Sequence, residues 1–372
     1  MKPRKVLYVS PNSRKGGAEQ LTALMARFHD RGRWEPEFFF FADGPFVDEV
    51  RGYKIPCHTS QYPKPPRLRN LMSVWQSVHE LKEIIRANDI DLVHSIMGYG
   101  HIFGGLAAQA AKVHEVWYQH GPTGELDWLT GLVPTDELFV NSQHTLQAQS
   151  RYRARARKTK ILLPGIDLAG AMKNSPVRVA ASSKITIGLF GRISPMKGHG
   201  LLLEAVAKLK KSGLAVTCVF SGEPFAPGDE QYAKDLRADV KMLGLEKDII
   251  FAGFVREVSQ LMASCQVVVN CSITPEPFGL TVVEAMSLGV AVVAPRAGGP
   301  GEVITDGKDG LLFQENSSDD LCAKLRLLAT SVELREKLGL AARQKVREQY
   351  GITRMVRELE AEYDGLFSQE HR

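Results

Sequence analysis

The sequence predicts two doubly wound α/β domains, each built on a parallel sheet with helices on both faces. Short β-branched and aromatic runs alternate with longer segments of helical period, which is the pattern of βαβ units. The chain has 372 residues, more than one hydrophobic core usually supports, so two domains are expected. With 44% hydrophobic and 24% charged residues, the composition is that of a globular protein with a sizeable core.

The strands and helices can be placed from this alternation. In the first half we predict strands at 5–10, 37–41, 92–96, 115–119, 137–141 and 159–163, with helices at 18–31 and 69–88. In the second half we predict strands at 184–190, 215–221, 249–252, 267–271 and 290–294. Proline and glycine near residue 165 punctuate the chain. We therefore predict domains over residues 1–170 and 171–351, with a last helix, about 352–372, that packs back on the first domain.

The first half of the chain is basic. Residues 1–175 carry 23 Lys and Arg against 17 Asp and Glu. Part of the excess is the run RYRARARKTK at 151–160, which could attract anionic lipid, a phosphorylated acceptor or nucleic acid. The alternative is a solvated helix end and linker. No nucleic-acid-binding module accompanies the run, so nucleic acid is not expected as a partner, whereas an anionic membrane surface stays open.

The cysteines and the apolar segments bear on the compartment. The five cysteines form no CxxC pair, and an odd number cannot all be paired within one chain, which favours a reducing cytoplasm. The first apolar run is too short for a signal peptide, and no run reaches the length of a membrane span. We expect a cytoplasmic protein that meets a membrane, if at all, at its inner face.

The most informative segment is PEPFGLTVVEA at 275–285. Glu276 lies in a loop, and Glu284 lies inside the helix that begins near Leu280. Gly279 permits close backbone approach, and the N–H groups at this helix start can meet an anion. The pattern predicts a diphosphate seat with a carboxylate on either side. An isolated pair of glutamates at this spacing would more often be a surface residue and a helix residue, but the embedding sequence favours the site.

A second segment, GRISPMKGHG at 191–200, follows a predicted strand. After Gly191, Arg192 offers a fork of donors and Lys197 a mobile point charge, and both suit a diphosphate that gains negative charge as it leaves. The alternative is an ordinary solvated βα loop.

Two weaker segments lie in the first half. Gly16 and Gly17 stand at the start of the first helix, where paired glycines let the backbone approach a ligand. His120, in the segment YQHGP, stands at the carboxyl end of a strand. Taken alone, His120 would more often be a buried structural histidine.

In this order and at this spacing, the four segments closely resemble glycosyltransferase family 4 over essentially the whole chain. The resemblance implies the GT-B fold, in which two Rossmann-like domains face each other across a cleft. It also implies retaining transfer of a sugar from a nucleotide diphosphate sugar to an acceptor hydroxyl. The expected acceptor is a saccharide, a lipid-linked sugar or another small molecule, in the synthesis of cell-surface polysaccharide, lipopolysaccharide or glycolipid.

The resemblance also implies a role for each matching residue. Glu284 would hold the ribose, Arg192 and Lys197 the diphosphate. Glu276 would contact the sugar and phosphates, and His120 a sugar hydroxyl near the reacting carbon. Further donor contacts are implied for Gly16, Gly17, Gly191, Phe278, Gly279 and Leu280, and near the base for Ser221, Gly222, Phe254 and Val255. The segment SGEP at 221–224 departs from the usual acidic residue between two glycines, so the base contacts stay open.

Other site types are set aside. Asp89-Ile90-Asp91 matches the DxD of metal-dependent glycosyltransferases, but it lies at a helix-to-strand turn and is read as structural. The histidines lack the helical spacing of a metal pair, so no metal and no cofactor are expected. A Rossmann-type oxidoreductase or epimerase would need a GxGxxG followed by a ribose-binding acid. A catalytically inactive nucleotide-sugar-binding protein is the remaining alternative, although every expected polar group is present.

Overall fold

The computed structural model describes residues 2–14, 16–62, 70–121, 127–149, 155–173 and 184–368. The chain divides into two compact units, of which the first is Met1–Gly165 with Ile352–Arg372 and the second is Ile166–Gly351. The division falls after Gly165, whereas the sequence predicts it after residue 170. The reason is local: Ile166 forms a parallel bridge with Gly351 and donates its N–H to the Tyr350 carbonyl at 2.8 Å, so it already belongs to the second unit.

The first unit is built on a seven-stranded parallel sheet. Its strands are β1 Arg4–Ser10, β2 Trp34–Phe40, β3 Cys57–Thr59, β4 Leu92–Ile96, β5 His114–Gln119, β6 Thr135–Val140 and β7 Ala156–Ile161, in the order β3-β2-β1-β4-β5-β6-β7. Its helices are α1 Gly17–Phe28, α2 Pro45–Gly52, α3 Leu71–Ala87, α4 Met97–Ala111 and α5 Gln143–Gln149, with a 3-10 helix at Asp127–Leu132 and the last helix of the chain, Ile352–Ser368. The sequence missed β3, because its three residues, Cys-His-Thr, form no run of β-branched or aromatic residues.

The two faces of this sheet bury different cores. Val6 and Tyr8 point to one face and pack with the helix Ile352–Ser368, while Leu7 and Val9 point to the other and pack with helices α3 and α4. Alternate residues of a strand point to opposite faces, so one strand serves both cores. Burial on both faces explains why these strands read as continuous apolar runs.

The second unit is a six-stranded parallel sheet. Its strands are β8 Ile185–Phe190, β9 Val216–Ser221, β10 Ile249–Gly253, β11 Val267–Val269, β12 Ala291–Pro295 and β13 Leu311–Phe313, in the order β10-β9-β8-β11-β12-β13. Its helices are α6 Leu168–Lys173, α7 His199–Lys211, α8 Asp229–Met242, α9 Val258–Ser264, α10 Leu280–Ser287, α11 Gly299–Val303, α12 Ser318–Thr330 and α13 Val332–Gln349, with a 3-10 helix at Pro195–Lys197. The helix Ile352–Ser368 is α14. The predicted fold class, two doubly wound α/β domains, is confirmed.

The strand order places the candidate sites. In each sheet the order reverses beside the first strand, between β1 and β4 in the first unit and between β8 and β11 in the second. Loops leave in opposite directions at such a point, and ligands of doubly wound sheets bind there, at the carboxyl ends of the strands. The glycine segment at 16–17 follows β1, and Arg192 and Glu276 follow β8 and β11.

Buried polar contacts fix α14 to the first unit. Glu360 accepts a hydrogen bond from the Asp30 N–H at 2.9 Å, and its carboxylate lies 2.8 Å from His29 Nδ1. The other ring nitrogen of His29 lies 2.6 Å from the Tyr8 hydroxyl. The Tyr363 hydroxyl is hydrogen-bonded to His94 on β4. Buried polar groups that are satisfied in this way specify one position of the helix.

The basic run at 151–160 is a strand over most of its described part. Residues 151–154 lie outside the described residues. β7 begins at Ala156, three residues before the strand predicted at 159–163, so the interpretation as a helix end and linker is wrong for 156–158. Arg157 pairs with Asp136 at 3.0 Å and Lys160 with Glu362 at 2.5 Å. Acidic neighbours therefore offset much of this charge.

Leu359→Ala should lower the free energy of unfolding of the first unit by about 2–5 kcal/mol, because the deletion leaves a cavity at a fully buried position of α14. Arg357→Ala, on the exposed side of the same helix, is the control and should stay within about 0.5 kcal/mol of wild type. Urea unfolding followed by circular dichroism measures both. Equal midpoints for the two variants would show that α14 is not part of the folded core.

Candidate functional site

The carboxyl ends of three neighbouring strands are held together by backbone contacts in the second unit. Gly191 N–H donates to the Ser221 carbonyl, and Gly222 N–H donates to the Gly253 carbonyl, each at 2.9 Å. Gly222 has φ 144°, and a Cβ there would lie 2.0 Å from the Gly191 carbonyl oxygen. Only glycine permits this approach. The loop that carries Arg192 and Lys197 therefore leaves the sheet from a closely packed edge.

Lys197 and Glu276 meet at this edge. Lys197 ends the 3-10 helix Pro195–Lys197, Glu276 lies in the loop after β11, and Nζ lies 2.5 Å from Glu276 Oε1. The Ser272 hydroxyl donates to the same carboxylate oxygen. Ser272 is itself fixed, since its N–H donates to Asn270 Oδ1 at 3.1 Å. An ammonium and a hydroxyl thus converge on one oxygen of Glu276.

The electrostatics keep Glu276 ionised. Burial alone raises the pKa of the carboxyl, but the Lys197 ammonium and the hydrogen bonds from Lys197, Ser272 and Asn270 outweigh burial and leave the pKa below its usual range. An ionised carboxylate accepts hydrogen bonds and has no proton to give. The group is therefore suited to orienting donors rather than to acid catalysis at neutral pH.

Two glycines permit close backbone contacts around this pair. Gly198, beside Lys197, has φ 68°, and a Cβ there would lie 1.9 Å from the carbonyl oxygen of Cys271, at the start of the Glu276 loop. Gly298, in the loop after β12, has φ 78°, and its Cβ would lie 2.7 Å from the Glu276 carbonyl oxygen. A side chain at either position would push the Glu276 loop away from its neighbour. The spacing of Lys197 and Glu276 depends on the Gly198 contact.

Helix α10 begins directly after the Glu276 loop. Gly279 caps it in the left-handed region, with φ 92°, and the buried Phe278 ring packs 5.9 Å from the Tyr350 ring. The first N–H groups of a helix have no intrahelical acceptor and carry the positive end of the helix dipole. The N–H groups from Gly279 and Leu280 onward can therefore meet a phosphate close to Lys197 and Glu276.

Glu284 lies one turn into α10 and is half-buried. Burial raises the pKa of this carboxyl to about 7. Among the described residues, none donates a hydrogen bond to it. A ligand that brings hydroxyl donors would satisfy this buried carboxyl group.

Arg192 is exposed at the end of β8, and no acidic side chain of the described ranges forms an ion pair with it.

An aromatic ring is exposed at the end of β10. Phe254 is 75% exposed and follows Gly253 directly, with the half-buried Val255 after it. Ser221 is buried at the end of the neighbouring β9. A planar base could cover the Phe254 ring, since every base has a face that stacks on an aromatic side chain.

His120 follows β5 in the first unit and is only 8% exposed. Burial lowers the pKa of its imidazole to about 3, so the ring is neutral at physiological pH. Its carbonyl accepts a hydrogen bond from Asn141 Nδ2 at 2.8 Å, and its ring lies 3.9 Å from the Tyr118 ring. Within the described part of the chain, Nε2 has no hydrogen-bond partner. The side chain offers a fixed hydrogen bond rather than a proton shuttle.

Gly16 and Gly17 are both exposed; Gly16 caps α1, and Gly17 is its first residue. Asn12 Nδ2 donates to Glu19 Oε1 at 2.6 Å, and a Cβ on Gly16 would lie 2.6 Å from the other Glu19 oxygen. Glu19, Asn270 and Ser272 were not predicted as site residues. In the sequence they differ from other polar residues only in lying beside the predicted site segments.

The described residues contain neither a metal site nor a membrane span. In residues 2–14, 16–62, 70–121, 127–149, 155–173 and 184–368, no group of His, Cys, Asp or Glu is arranged to hold a metal ion. Asp91 instead accepts the Lys5 N–H at 2.7 Å, a structural role. Over the same ranges, the helices are too short or too polar to span a bilayer.

Two family models match the chain, one to each half. The model described as Glycosyltransferase Family 4 matches residues 15–169, and the model described as Glycosyl transferases group 1 matches residues 173–345.

Curated relatives and solved structures agree with these models. The putative glycosyltransferase EpsD of Bacillus subtilis is 26% identical over 85% of this chain and 84% of its own length. The lipopolysaccharide core biosynthesis mannosyltransferase LpcC of Rhizobium leguminosarum is 28% identical over 55% of the chain and 59% of its length. Other curated relatives are matched over 29% to 61% of their length. The crystal structure of Anabaena HepE in complex with UDP superposes with a TM-score of 0.84 at 25% identity, covering 97% of this chain and 100% of that one.

Glu284→Gln should change how stability depends on pH. The folded pKa of about 7 exceeds the usual 4.5, so between these values the folded state holds a proton that the unfolded state lacks, and wild-type stability falls as pH rises. In the Glu284→Gln variant, the free energy of unfolding should no longer fall with pH through this carboxyl group. Denaturant unfolding between about pH 5 and pH 8 measures it, with the exposed Glu315→Gln as control. Parallel profiles for wild type and Glu284→Gln would refute burial of an ionisable group at this position.

Proposed function

Since the chain belongs to glycosyltransferase family 4, we propose that it transfers a sugar from a nucleotide diphosphate sugar to an acceptor hydroxyl, with retention at the anomeric carbon. The observation that carries the proposal is the Lys197–Glu276 pair beside the start of α10. It combines an ammonium, an ionised carboxylate and free helix N–H groups at one strand edge. Such a set suits a diphosphate attached to a sugar.

The proposed donor site uses the residues already described. The diphosphate lies on the N–H groups at the start of α10 and meets Arg192 and Lys197, with Gly191 giving backbone access. Glu284 accepts the ribose hydroxyls, and the base lies at the end of β10. The UDP bound to HepE supports a nucleoside diphosphate at a fold of this kind.

In the proposed reaction the bond from the anomeric carbon to the diphosphate oxygen breaks, and a bond to the acceptor oxygen forms on the same face. The leaving phosphate takes the acceptor proton, so no protein base is required. The protein contributes positioning and stabilisation of the negative charge that builds on the diphosphate. His120 is neutral, and its Nε2 has no hydrogen-bond partner among the described residues, so we assign it a hydrogen bond to a sugar hydroxyl.

The acceptor proposed is a saccharide or lipid-linked precursor of a cell-surface polysaccharide, lipopolysaccharide or glycolipid. The similarity to LpcC, a lipopolysaccharide core biosynthesis mannosyltransferase, supports this class of acceptor. We place the protein in the cytoplasm at the inner face of the membrane. Five free cysteines, four of them buried, fit a reducing compartment.

A panel of UDP-, GDP-, ADP- and CDP-sugars should single out one base by thermal shift. Ligand at about a hundred times its dissociation constant stabilises a protein by about 2.7 kcal/mol.

With the donor that this panel identifies, proton NMR of the product should show the anomeric configuration of the donor. Turnover should also survive EDTA, because Arg192 and Lys197 supply the positive charge opposite the diphosphate. A shift with NAD alone would favour the oxidoreductase alternative. Binding of a donor without transfer or hydrolysis would favour the inactive alternative.

Arg192→Ala and Lys197→Ala should each lower turnover at saturating donor by about a hundredfold or more, because their charges act most strongly on the departing diphosphate. Lys211→Ala, an exposed lysine at the end of α7, is the control and should leave turnover unchanged. Steady-state kinetics measures the turnover of each variant at saturating donor, and the melting temperature checks that each variant is folded. Normal turnover in a correctly folded Arg192 or Lys197 variant would remove that residue from the mechanism.

A further inference from the structure

Two buried amide side chains hold the turn that carries His120. β5 and β6 pair up to the last residue of each strand, so His120 and Asn141 are the first residues beyond the paired segment. Asn141 Nδ2 donates to the His120 carbonyl at 2.8 Å. Gln119 Nε2 donates to the Gly121 carbonyl at 3.1 Å. Both carbonyls of the turn therefore have a side-chain donor at the point where the strand pairing ends.

Both amides have a fixed orientation. Gln119 Oε1 accepts the indole N–H of Trp117 at 3.2 Å, on the side opposite the turn. An indole N–H only donates and a backbone carbonyl only accepts, so a flipped amide of Gln119 or Asn141 would face an oxygen with its own oxygen. Gln119 is 1% exposed and Asn141 3%. Because a buried amide without partners is costly, the orientation that donates to the turn is the stable one.

Hydroxyl groups of the next segment hold Asn141 in turn. Thr145 lies on α5 and is fully buried, and its hydroxyl donates to Asn141 Oδ1 at 2.7 Å. The Ser142 hydroxyl donates to Thr145 Oγ1 at 3.1 Å and accepts the Thr145 N–H at 3.0 Å. Hydrogen bonds in such a buried chain strengthen one another and specify one arrangement. The position of the His120 carbonyl is therefore tied to α5 as well as to β5.

The ring of His120 is also held. It lies 3.9 Å from the ring of Tyr118, whose hydroxyl donates to the Leu162 carbonyl at 2.5 Å. In the part of the chain that the structure describes, Nε2 of His120 has no hydrogen-bond partner. A side chain that recognises a ligand depends on neighbours that fix its position. Tyr118 fixes the ring of His120, and the two amides fix its backbone.

We propose that Asn141 and Gln119 are positioning residues, which set the place of the His120 imidazole in the transfer reaction. The inference rests on the proposed function, in which His120 meets a sugar hydroxyl. It deepens that function by naming two amides that act through His120 rather than on the sugar. A misplacement of about 1 Å can lower a rate about a hundredfold, so the loss of one amide should be visible in turnover.

The kinetic test compares two asparagine variants. Asn141→Ala should lower turnover with the preferred donor by about tenfold to a hundredfold. It should leave the affinity for the free nucleoside diphosphate unchanged, because the residues proposed to bind the diphosphate lie in the second unit. Asn88→Ala is the matched control, since Asn88 Nδ2 also donates to a carbonyl of the first unit, that of Ile84 at 2.9 Å, and its turnover should equal that of wild type. Normal turnover in a folded Asn141→Ala variant would overturn the proposal.

A double-mutant cycle separates positioning from a general loss of structure. If Asn141 acts through His120, Asn141→Ala should have no further effect on the residual turnover of His120→Ala. Equal losses in the wild-type and His120→Ala backgrounds would overturn the proposal. If Asn141→Ala does not fold, Thr145→Val and Thr145→Ser replace it in the cycle. Thr145→Val removes the hydroxyl that holds the amide and should lower turnover, whereas Thr145→Ser keeps the hydroxyl and should restore it.

A readout without turnover distinguishes this proposal from the proposed function. In protein whose histidines are labelled with nitrogen-15, the ring resonances of His120 are identified by their loss in His120→Ala. They should move in Asn141→Ala, whereas those of His199, in the second unit, should stay in place. Moved resonances without transfer from any nucleotide sugar would remove the proposed function and leave the positioning contacts. Unmoved His120 resonances, with transfer at the wild-type rate, would remove the positioning role and leave the proposed function.

Discussion

The contact between the Lys197 ammonium and the Glu276 carboxylate, at 2.5 Å, is the interaction on which the candidate site depends. Two half-buried charges are costly to remove from water unless each has a partner. The surrounding loops supply these partners: Gly198 lets the Lys197 loop approach the Glu276 loop, and Gly298 lets the loop after β12 approach Glu276 from elsewhere, each at a distance that a side chain would not allow. In the proposed function a diphosphate replaces the carboxylate as the partner of the ammonium.

The first unit is completed by one helix, α14, from the far end of the chain. α14 supplies Glu360 and Tyr363 to a buried chain of polar contacts that reaches His29 and His94. Burial also keeps His120 neutral. A neutral imidazole in a rigid position is suited to recognising a hydroxyl, and the surrounding core keeps the ring in one place.

Much of this could be read from the sequence, and the failures have physical causes. The strand Leu92–Ile96 has its predicted bounds because a charged turn precedes a continuous apolar run. β3 and β13 were missed, since Cys-His-Thr and Leu-Leu-Phe lack the run of β-branched residues, Val-Val-Val, that marks the equally short β11. Glu276 and Lys197 stood out by residue type and spacing, but their contact joins positions 79 residues apart, and only the folded loops reveal it. The contact of Ser272 with Glu276 was not predicted, because side-chain contacts depend on tertiary packing rather than on local pattern.

We expect Glu276 to hold Lys197 until a diphosphate takes its place. The most direct measurement is the affinity of Glu276→Gln for the free nucleoside diphosphate of the preferred donor, by calorimetry, alongside turnover with the intact donor. Because the variant releases the ammonium from its ionic partner, it should bind the diphosphate at least as tightly as wild type while turnover falls. A correctly folded variant that binds the diphosphate more weakly and turns over normally would contradict the claim.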